Sequence, residues 1–166
     1  MLVRTEYIPN LLKYIKRDFP KYDVMLREKL KERINENIFN AYWFYYEGKQ
    51  VGYCVLATKD TNCLIVYIGI HPEYRSKGYG SLFLKQIKNF YKGVIFAEIL
   101  PPYSPDNKKR YMFYLRNKYK LINSKYISFQ YNRYLMANKK DKDYKNKLRK
   151  IYHTILGNRY QLSIHF

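Results

Sequence analysis

A basic, glycine-containing turn holds the residues of this sequence that are best placed for chemistry. The segment Arg75-Ser76-Lys77-Gly78-Tyr79-Gly80-Ser81, here called the glycine turn, follows a proline that stops an apolar run, and it opens a helical pattern. Backbone N–H groups at the start of a helix lack intrahelical acceptors, and the helix dipole favours an anion there. Gly78 and Gly80 let the backbone approach a ligand closely, and Arg75 and Lys77 add positive charge. The turn therefore indicates a site for the phosphates of a cofactor; the alternative is a turn that only begins a helix.

The spacing of the glycines distinguishes between cofactor motifs. A Rossmann fingerprint needs a third glycine at position 83, which is Phe83, and a Walker loop needs Gly-Lys-Ser/Thr, which this sequence lacks. The pattern Arg75-x-x-Gly78-x-Gly80 resembles the acetyl-CoA signature of the GNAT superfamily of N-acetyltransferases, Arg/Gln-x-x-Gly-x-Gly/Ala. The segments 70–74 and 47–53 before the turn, and Ser81-Leu82 at its end, are also similar to that family.

The resemblance implies a fold and a co-substrate. The implied fold is a mixed α/β fold of the GNAT-like acyl-CoA N-acyltransferase type, with a mostly antiparallel sheet, a central parallel βαβ pair and flanking helices. We expect residues 1–166 to form a single domain of this type. The implied co-substrate is acetyl-CoA, with the main chain of Ile68, Gly69 and Ile70 on its pantetheine arm and thioester carbonyl. The implied phosphate contacts come from Arg75, Ser76, Lys77, Gly78, Tyr79, Gly80 and Ser81.

Tyr114 is the candidate acid for the departing thiolate. In the GNAT superfamily an Asn opens the helix after the second parallel strand, and a Tyr seven positions later lies beside the CoA sulfur. The resemblance assigns these cofactor-binding positions to Asn107 and Tyr114, although Arg110 and Lys118-Tyr119 replace the small residue and the Gly-Phe usual there. A phenol with a pKa of about 10 can donate to a thiolate whose conjugate acid titrates at about 8.5. Simple packing is the alternative, since the chain has 21 tyrosines.

Glu98 is the candidate general base. It is the only acid in the apolar stretch 94–100 and lies near the C-terminal end of a predicted parallel strand, where sites in such sheets gather. A carboxylate at such a position could take a proton from the incoming amine directly or through water, orient the acceptor, or pair with a cation. His71, which directly precedes the cofactor segment, is expected to pack there. Gly69 interrupts its strand and indicates a bulge, a close backbone approach or relief of crowding.

Hydrophobic periodicity predicts the elements that position these residues. Helical spacing covers 11–19, 25–38, 108–119 and 143–156, and strand patterns cover 40–46, 50–56, 63–70, 94–100, 126–136 and 159–166. The first two strands form a hairpin with the three-residue loop 47–49, and Asp106 or Asn107 is expected to cap the helix over 108–119. The helix after the glycine turn buries one face, formed by Phe83, Leu84, Ile87, Phe90 and Tyr91. It joins two strands in a βαβ unit, so those strands should be parallel.

Composition limits the class of protein. The chain has 166 residues, 47% of them hydrophobic, without an apolar run of 18 residues or a signal-peptide core at its start, so we expect a globular cytoplasmic protein without a membrane span. Cys54 and Cys63 lack metal-ligand spacing and are expected to be reduced packing residues, and no metal site is predicted.

Positive charge is concentrated in the C-terminal part of the chain. The net charge is +19, and residues 101–166 hold 16 Lys and Arg against 3 Asp and Glu. A field of this sign attracts CoA phosphates, nucleic acid or acidic partners; compositional drift would produce the same pattern. Polycationic acceptors are disfavoured by the same charge.

These features together predict an N-acetyltransferase that moves an acetyl group from acetyl-CoA to a primary amine by direct transfer in a ternary complex. The expected acceptor is a small-molecule amine or a peptide N-terminus, and the expected assembly is a monomer or homodimer. The alternative is a non-catalytic CoA-binding module whose basic C-terminal half binds RNA or another polyanion.

Overall fold

A computed structural model describes residues 1–6 and 8–166 of the chain. It has the predicted mixed α/β fold, and its strands follow the order β1-β2-β3-β4-β5-β7-β6-β8 in a mostly antiparallel sheet. The elements are β1 (Leu2–Arg4), α1 (Ile8–Asp18), α2 (Arg27–Asn35), β2 (Phe39–Tyr46), β3 (Lys49–Lys59), β4 (Asn62–Ile70), α3 (Tyr79–Phe90), β5 (Ile95–Ile99), α4 (Pro105–Arg116), β6 (Lys120–Ser128), β7 (Tyr131–Ala137), α5 (Tyr144–Leu156) and β8 (Ile164–His165).

The described residues divide into two compact units. The first unit comprises Met1–Thr58 and Val66–Phe90, and the second comprises Lys59–Ile65 and Tyr91–Phe166. Strand β4 therefore contributes its first residues to the second unit and its last residues to the first.

The first unit contains a tight antiparallel hairpin. Tyr46 pairs with Lys49, so β2 and β3 are joined by two residues, and the predicted three-residue loop was wrong. Glu47 and Gly48 have φ values of +47° and +74°. Positive φ at both central positions is typical of a type I′ turn, whose twist matches that of the flanking strands.

Apolar stripes on the helices form the core of the first unit. Leu11 and Ile15 of α1 and Phe83 and Ile87 of α3 are fully buried, as the periodicity predicts. Phe90, the last residue of α3, was predicted to join them but is 60% exposed.

A buried carboxylate at the end of α1 joins this helix to the glycine turn. Asp18 accepts hydrogen bonds from Arg17, from the Tyr53 hydroxyl (2.9 Å) and from Arg75 Nη2 (2.7 Å), and its side chain is 8% exposed. Burial raises the pKa of the Asp18 carboxyl, but the hydrogen bonds from Arg17 and Tyr53 and the charges of Arg17 and Arg75 outweigh it, so the pKa lies below its usual value.

Gly69 makes room for this network. A Cβ at Gly69 would lie 2.6 Å from the Tyr53 ring and 2.8 Å from Asp18 Oδ2. Any side chain there would displace the Tyr53 hydroxyl from Asp18. A glycine is therefore needed at position 69 because the Tyr53 ring and the Asp18 carboxylate leave no room for a side chain, and not because the backbone there has a positive φ.

Parallel pairing of β4 with β5 lies at one side of the second unit. Cys63, Leu64 and Ile65 pair in parallel with Ile95, Phe96 and Ala97, as the βαβ pattern predicts. On the other side of β5, strands β7, β6 and β8 follow in antiparallel order.

Three predicted boundaries in the second unit were wrong. Residues 126–136 form parts of the hairpin β6–β7 rather than one strand, because Phe129 and Gln130 both adopt positive φ and carry no Gly, Asn or Asp turn signal. Helix α4 begins at Pro105, and Ser104 rather than Asp106 or Asn107 is its cap, with Oγ accepting from Asn107 N. Only Ile164–His165 of the last predicted strand pairs, with a 3₁₀ segment before it.

Other sequence expectations concern the cysteines and membrane spans. Cys54 and Cys63 are buried free thiols, which confirms their packing role. Within residues 1–6 and 8–166, none of the helices has the length and apolar character that crossing a bilayer requires.

Replacement of Asp18 by Asn should destabilise the protein in a pH-dependent way. The folded pKa is below the unfolded value of about 3.9, so the carboxylate stabilises the fold above that pH and loses its contribution as pH falls through the folded pKa. We expect Asp18→Asn to cost roughly 1–3 kcal/mol at pH 7, or several degrees in Tm. Thermal melts at pH 7 and near pH 3 measure this; an equal deficit at both would contradict it.

Candidate functional site

The signs of φ along the glycine turn match those of an anion-binding nest. Ser76 and Gly78 have φ values of +62° and +82°, and Lys77 between them has a negative φ. Alternation of this kind directs successive N–H groups into one concavity. The space around Gly78 is open, so its positive φ is what requires glycine there.

Helix α3 starts inside the turn and adds its own donors. It begins at Tyr79, and the N–H groups of Ser81 and Leu82 bond back to the Gly78 carbonyl oxygen at 3.0 and 3.2 Å. These two N–H groups are therefore engaged, and the helix-start donors that precede them belong to Tyr79 and Gly80, whose N–H groups have no intrahelical acceptor. The dipole gives that end of the helix positive character. Nest and helix start therefore both favour a phosphate at this segment.

The charged side chains of the turn hold its shape. Arg75 Nε donates to the Ile70 carbonyl oxygen at 2.9 Å while Nη2 donates to Asp18, and Lys77 Nζ donates to the Glu73 carbonyl oxygen at 2.8 Å. These bonds use two of the five Arg75 donors and one of the three Lys77 donors and hold both side chains beside the turn. The main chain and both cations can therefore contribute to binding an anion.

The end of β4 adjoins this turn in the first unit. Ile68, Gly69 and Ile70 are half-buried, and Ile70 is joined to the turn through Arg75. His71 is 4% exposed and packs against Tyr14 with ring centroids 4.4 Å apart, as expected. Burial and the Arg17 charge lower the pKa of His71, so the imidazole is neutral at pH 7.

Tyr114 lies buried on α4 in the second unit. Its ring contacts Phe113 and Tyr119, and burial raises its pKa to about 12. Asn107, seven residues earlier, donates from Nδ2 to the Pro101 carbonyl oxygen at 3.2 Å. This contact joins the first turn of α4 to the loop after β5.

The departure from the family pattern after α4 has a structural counterpart. Lys118, which stands where glycine is usual, has a φ of +63°, and Tyr119, which stands where Phe is usual, is 2% exposed. A positive φ just after a helix is the conformation that glycine adopts most readily. Lys118 therefore adopts the backbone conformation of the glycine that the resemblance places there.

Glu98 is held by hydroxyl groups that the sequence analysis did not identify as functional. Tyr126 Oη and Tyr152 Oη donate to its Oε1 at 2.8 and 2.6 Å, and Ser128 Oγ lies 3.1 Å from Tyr152 Oη. From the sequence, Tyr152 was placed only within the helical pattern of residues 143–156, where it lies among apolar positions. A hydroxyl on an apolar stripe, combined with a lone acid in an apolar strand, is the signal that could have linked them.

The structure thus groups the predicted site residues in two sets. Ile68–Ile70 and the glycine turn belong to the first unit, and Glu98, Asn107 and Tyr114 belong to the second. No group of three or more His, Cys, Asp or Glu side chains among the described residues has an arrangement that could hold a metal ion.

Comparison with solved structures gives many matches of the same fold. A protein from Bacteroides thetaiotaomicron assigned to the GNAT family matches with a TM-score of 0.78 and 22% identity, over 94% of this chain and 97% of the other. The ribosomal-protein-S18-alanine N-acetyltransferase of Escherichia coli matches with a TM-score of 0.59 and 13% identity, over 82% and 92%. The PaiA N-acetyltransferase of Thermoplasma acidophilum, solved with coenzyme A, matches with a TM-score of 0.58 and 13% identity, over 84% and 99%.

Sequence comparisons give one family match. A search of curated proteins finds no match. The family model described as "Acetyltransferase (GNAT) domain" matches residues 39–121, half of the chain, which include the glycine turn, Glu98 and Tyr114. The chain therefore belongs to the GNAT acetyltransferase family.

Proposed function

We propose that this protein is an N-acetyltransferase that moves an acetyl group from acetyl-CoA to a primary amine by direct transfer in a ternary complex. The observation that carries the proposal is the nest of the glycine turn at the start of α3, in a chain of the GNAT family. Solved relatives of the same fold that hold coenzyme A support the choice of co-substrate.

The chain's own residues account for the steps of such a transfer. Acetyl-CoA, when bound, supplies an activated acetyl thioester. The main chain of residues 76–80 would hold its diphosphate, and that of Ile68–Ile70 its pantetheine arm. Glu98 accepts the proton that the amine nitrogen loses as the C–N bond forms, and Tyr114 donates a hydrogen bond to the sulfur as the C–S bond breaks.

The pKa of Tyr114 decides between two forms of assistance. At a pKa of about 12 the phenol stays protonated throughout the neutral range. Complete proton transfer to a thiolate whose conjugate acid has a pKa of about 8.5 would be uphill by roughly 5 kcal/mol. We therefore assign Tyr114 as a hydrogen-bond donor that stabilises the departing thiolate, with solvent supplying the proton afterwards.

The acceptor is proposed from charge. With a net charge of +19, the protein disfavours polycationic acceptors, so we propose a small neutral or anionic amine or an acidic peptide N-terminus. Incubating the protein with acetyl-labelled acetyl-CoA and amine pools, with products read by mass spectrometry, tests this. Acetylation of polyamines alone would contradict the acceptor class, and no labelled product would contradict the activity.

Substitution of Gly80 by Asp should weaken coenzyme A binding about 10- to 100-fold, as measured by calorimetry, because it places a carboxylate at the start of α3 beside the proposed diphosphate path. Asn89→Asp is the matched control, since it adds the same charge at an exposed position near the other end of the same helix. Equal affinity of both variants for coenzyme A would refute the placement of the diphosphate.

Substitution of Tyr114 by Phe should lower kcat about 10- to 100-fold and leave the affinity for acetyl-CoA within about twofold, because only a donor to the leaving group is lost. Tyr111→Phe on the same helix, whose ring packs on Tyr134, is the control and should keep wild-type kcat. Unchanged kcat in Tyr114→Phe would remove this residue from the mechanism.

A further inference from the structure

Two tyrosine hydroxyl groups bind Glu98 without having a step of their own in the proposed transfer. Tyr126, on β6, and Tyr152, on α5, both donate to the same carboxylate oxygen. We infer that these two tyrosines, here called the tyrosine clamp, orient the Glu98 carboxylate and keep it ready to accept the amine proton. The inference rests on the proposed function and makes α5 part of the machinery for proton removal.

Glu98 and its hydroxyl partners differ in solvent exposure. Tyr126, Ser128 and Tyr152 are 0%, 1% and 2% exposed, whereas Glu98 is only half-buried. Of these four residues, Glu98 is therefore the most exposed as a whole, although its carboxyl group is buried enough for desolvation to raise its pKa.

Hydrogen bonds and burial act on the carboxyl group in opposite directions. Burial raises the pKa of Glu98, while hydrogen bonds from Tyr152, Tyr126 and Ser128 and the positive charge of Arg133 on β7 lower it, and the net result is a raised pKa. Both clamp phenols have pKa values raised far above the usual one by burial and by the Glu98 charge, so they remain donors. The clamp thus limits how far burial can push the carboxyl toward its protonated form.

Removal of one clamp hydroxyl should shift the titration of Glu98. A hydrogen bond to an ionised group stabilises that form, so its loss in Tyr152→Phe or Tyr126→Phe should raise the Glu98 midpoint by about one pH unit. The acidic limb of the pH profile of kcat/KM should shift to higher pH by the same amount. Activity should fall about tenfold below both midpoints and return toward the wild-type plateau at higher pH.

Two readouts and two further variants make the test decisive. The Glu98 carboxyl is followed by carbon-13 NMR in the free protein, so the clamp is tested even if no acetyl transfer is detected. Tyr144→Phe, on the same helix with its ring against Phe166, is the control and should move neither the midpoint nor the limb. Glu98→Gln should abolish the acidic limb and lower kcat at every pH.

The outcomes separate this inference from the proposed function. A parallel upward shift of midpoint and limb in both clamp variants supports the clamp. An unmoved NMR midpoint, or a uniform loss of activity at all pH values with an unmoved limb, overturns it, as would full activity in Glu98→Gln. Absence of acetyl transfer by the wild-type protein would count against the proposed function. The NMR midpoint would still show whether the tyrosine clamp controls the pKa of the Glu98 carboxyl.

Discussion

The first unit depends on how one short stretch of backbone is held in an unfavourable conformation. Ser76 and Gly78 adopt positive φ, which only glycine accepts without cost, and the nest exists only while both do. Arg75 fixes the start of this stretch by bonding to Ile70 and to Asp18, and Asp18 is fixed in turn by Tyr53 and Arg17. Positioning of the proposed diphosphate site therefore begins in α1, far from the turn in sequence.

In the second unit, the main constraint is a charged side chain, Glu98, in the otherwise apolar strand β5. The neighbours of Glu98 on β5 are buried apolar residues, so its carboxyl group is stable only with polar partners. Three hydroxyl groups and Arg133 supply that stabilisation without cancelling the effect of burial. A carboxyl balanced in this way has a pKa moved toward neutrality, which is the property a general base needs. Tyr114 is also buried, but its neighbours are aromatic. Burial raises its pKa, which keeps the phenol protonated.

The sequence predicted helices and strands well where a hydrophobic pattern ran over many residues or where a turn contained typical turn residues. The helices predicted over 11–19 and 143–156, the parallel β4–β5 pair and the free cysteines are all confirmed. Predictions failed at Phe129-Gln130, where a type I′ geometry uses residues without turn preference, and at Ser104, where a serine before proline caps α4. At Phe129-Gln130 the local sequence signal was weak, and strand pairing decided the outcome. Ser104-Pro105, by contrast, carries a clear signal for a helix start that the prediction overlooked.

The sequence by itself determined the family, the glycine turn and the two candidate catalytic side chains, because each depends on residue type and spacing along one segment. Only the tertiary structure decided what those residues contact. Asp18 meets Arg75 across 57 positions, and Tyr152 meets Glu98 across 54. No periodicity encodes contacts between residues so far apart, since they arise from how helices and strands pack. The groups that tune a site's charge therefore became visible only in the folded chain.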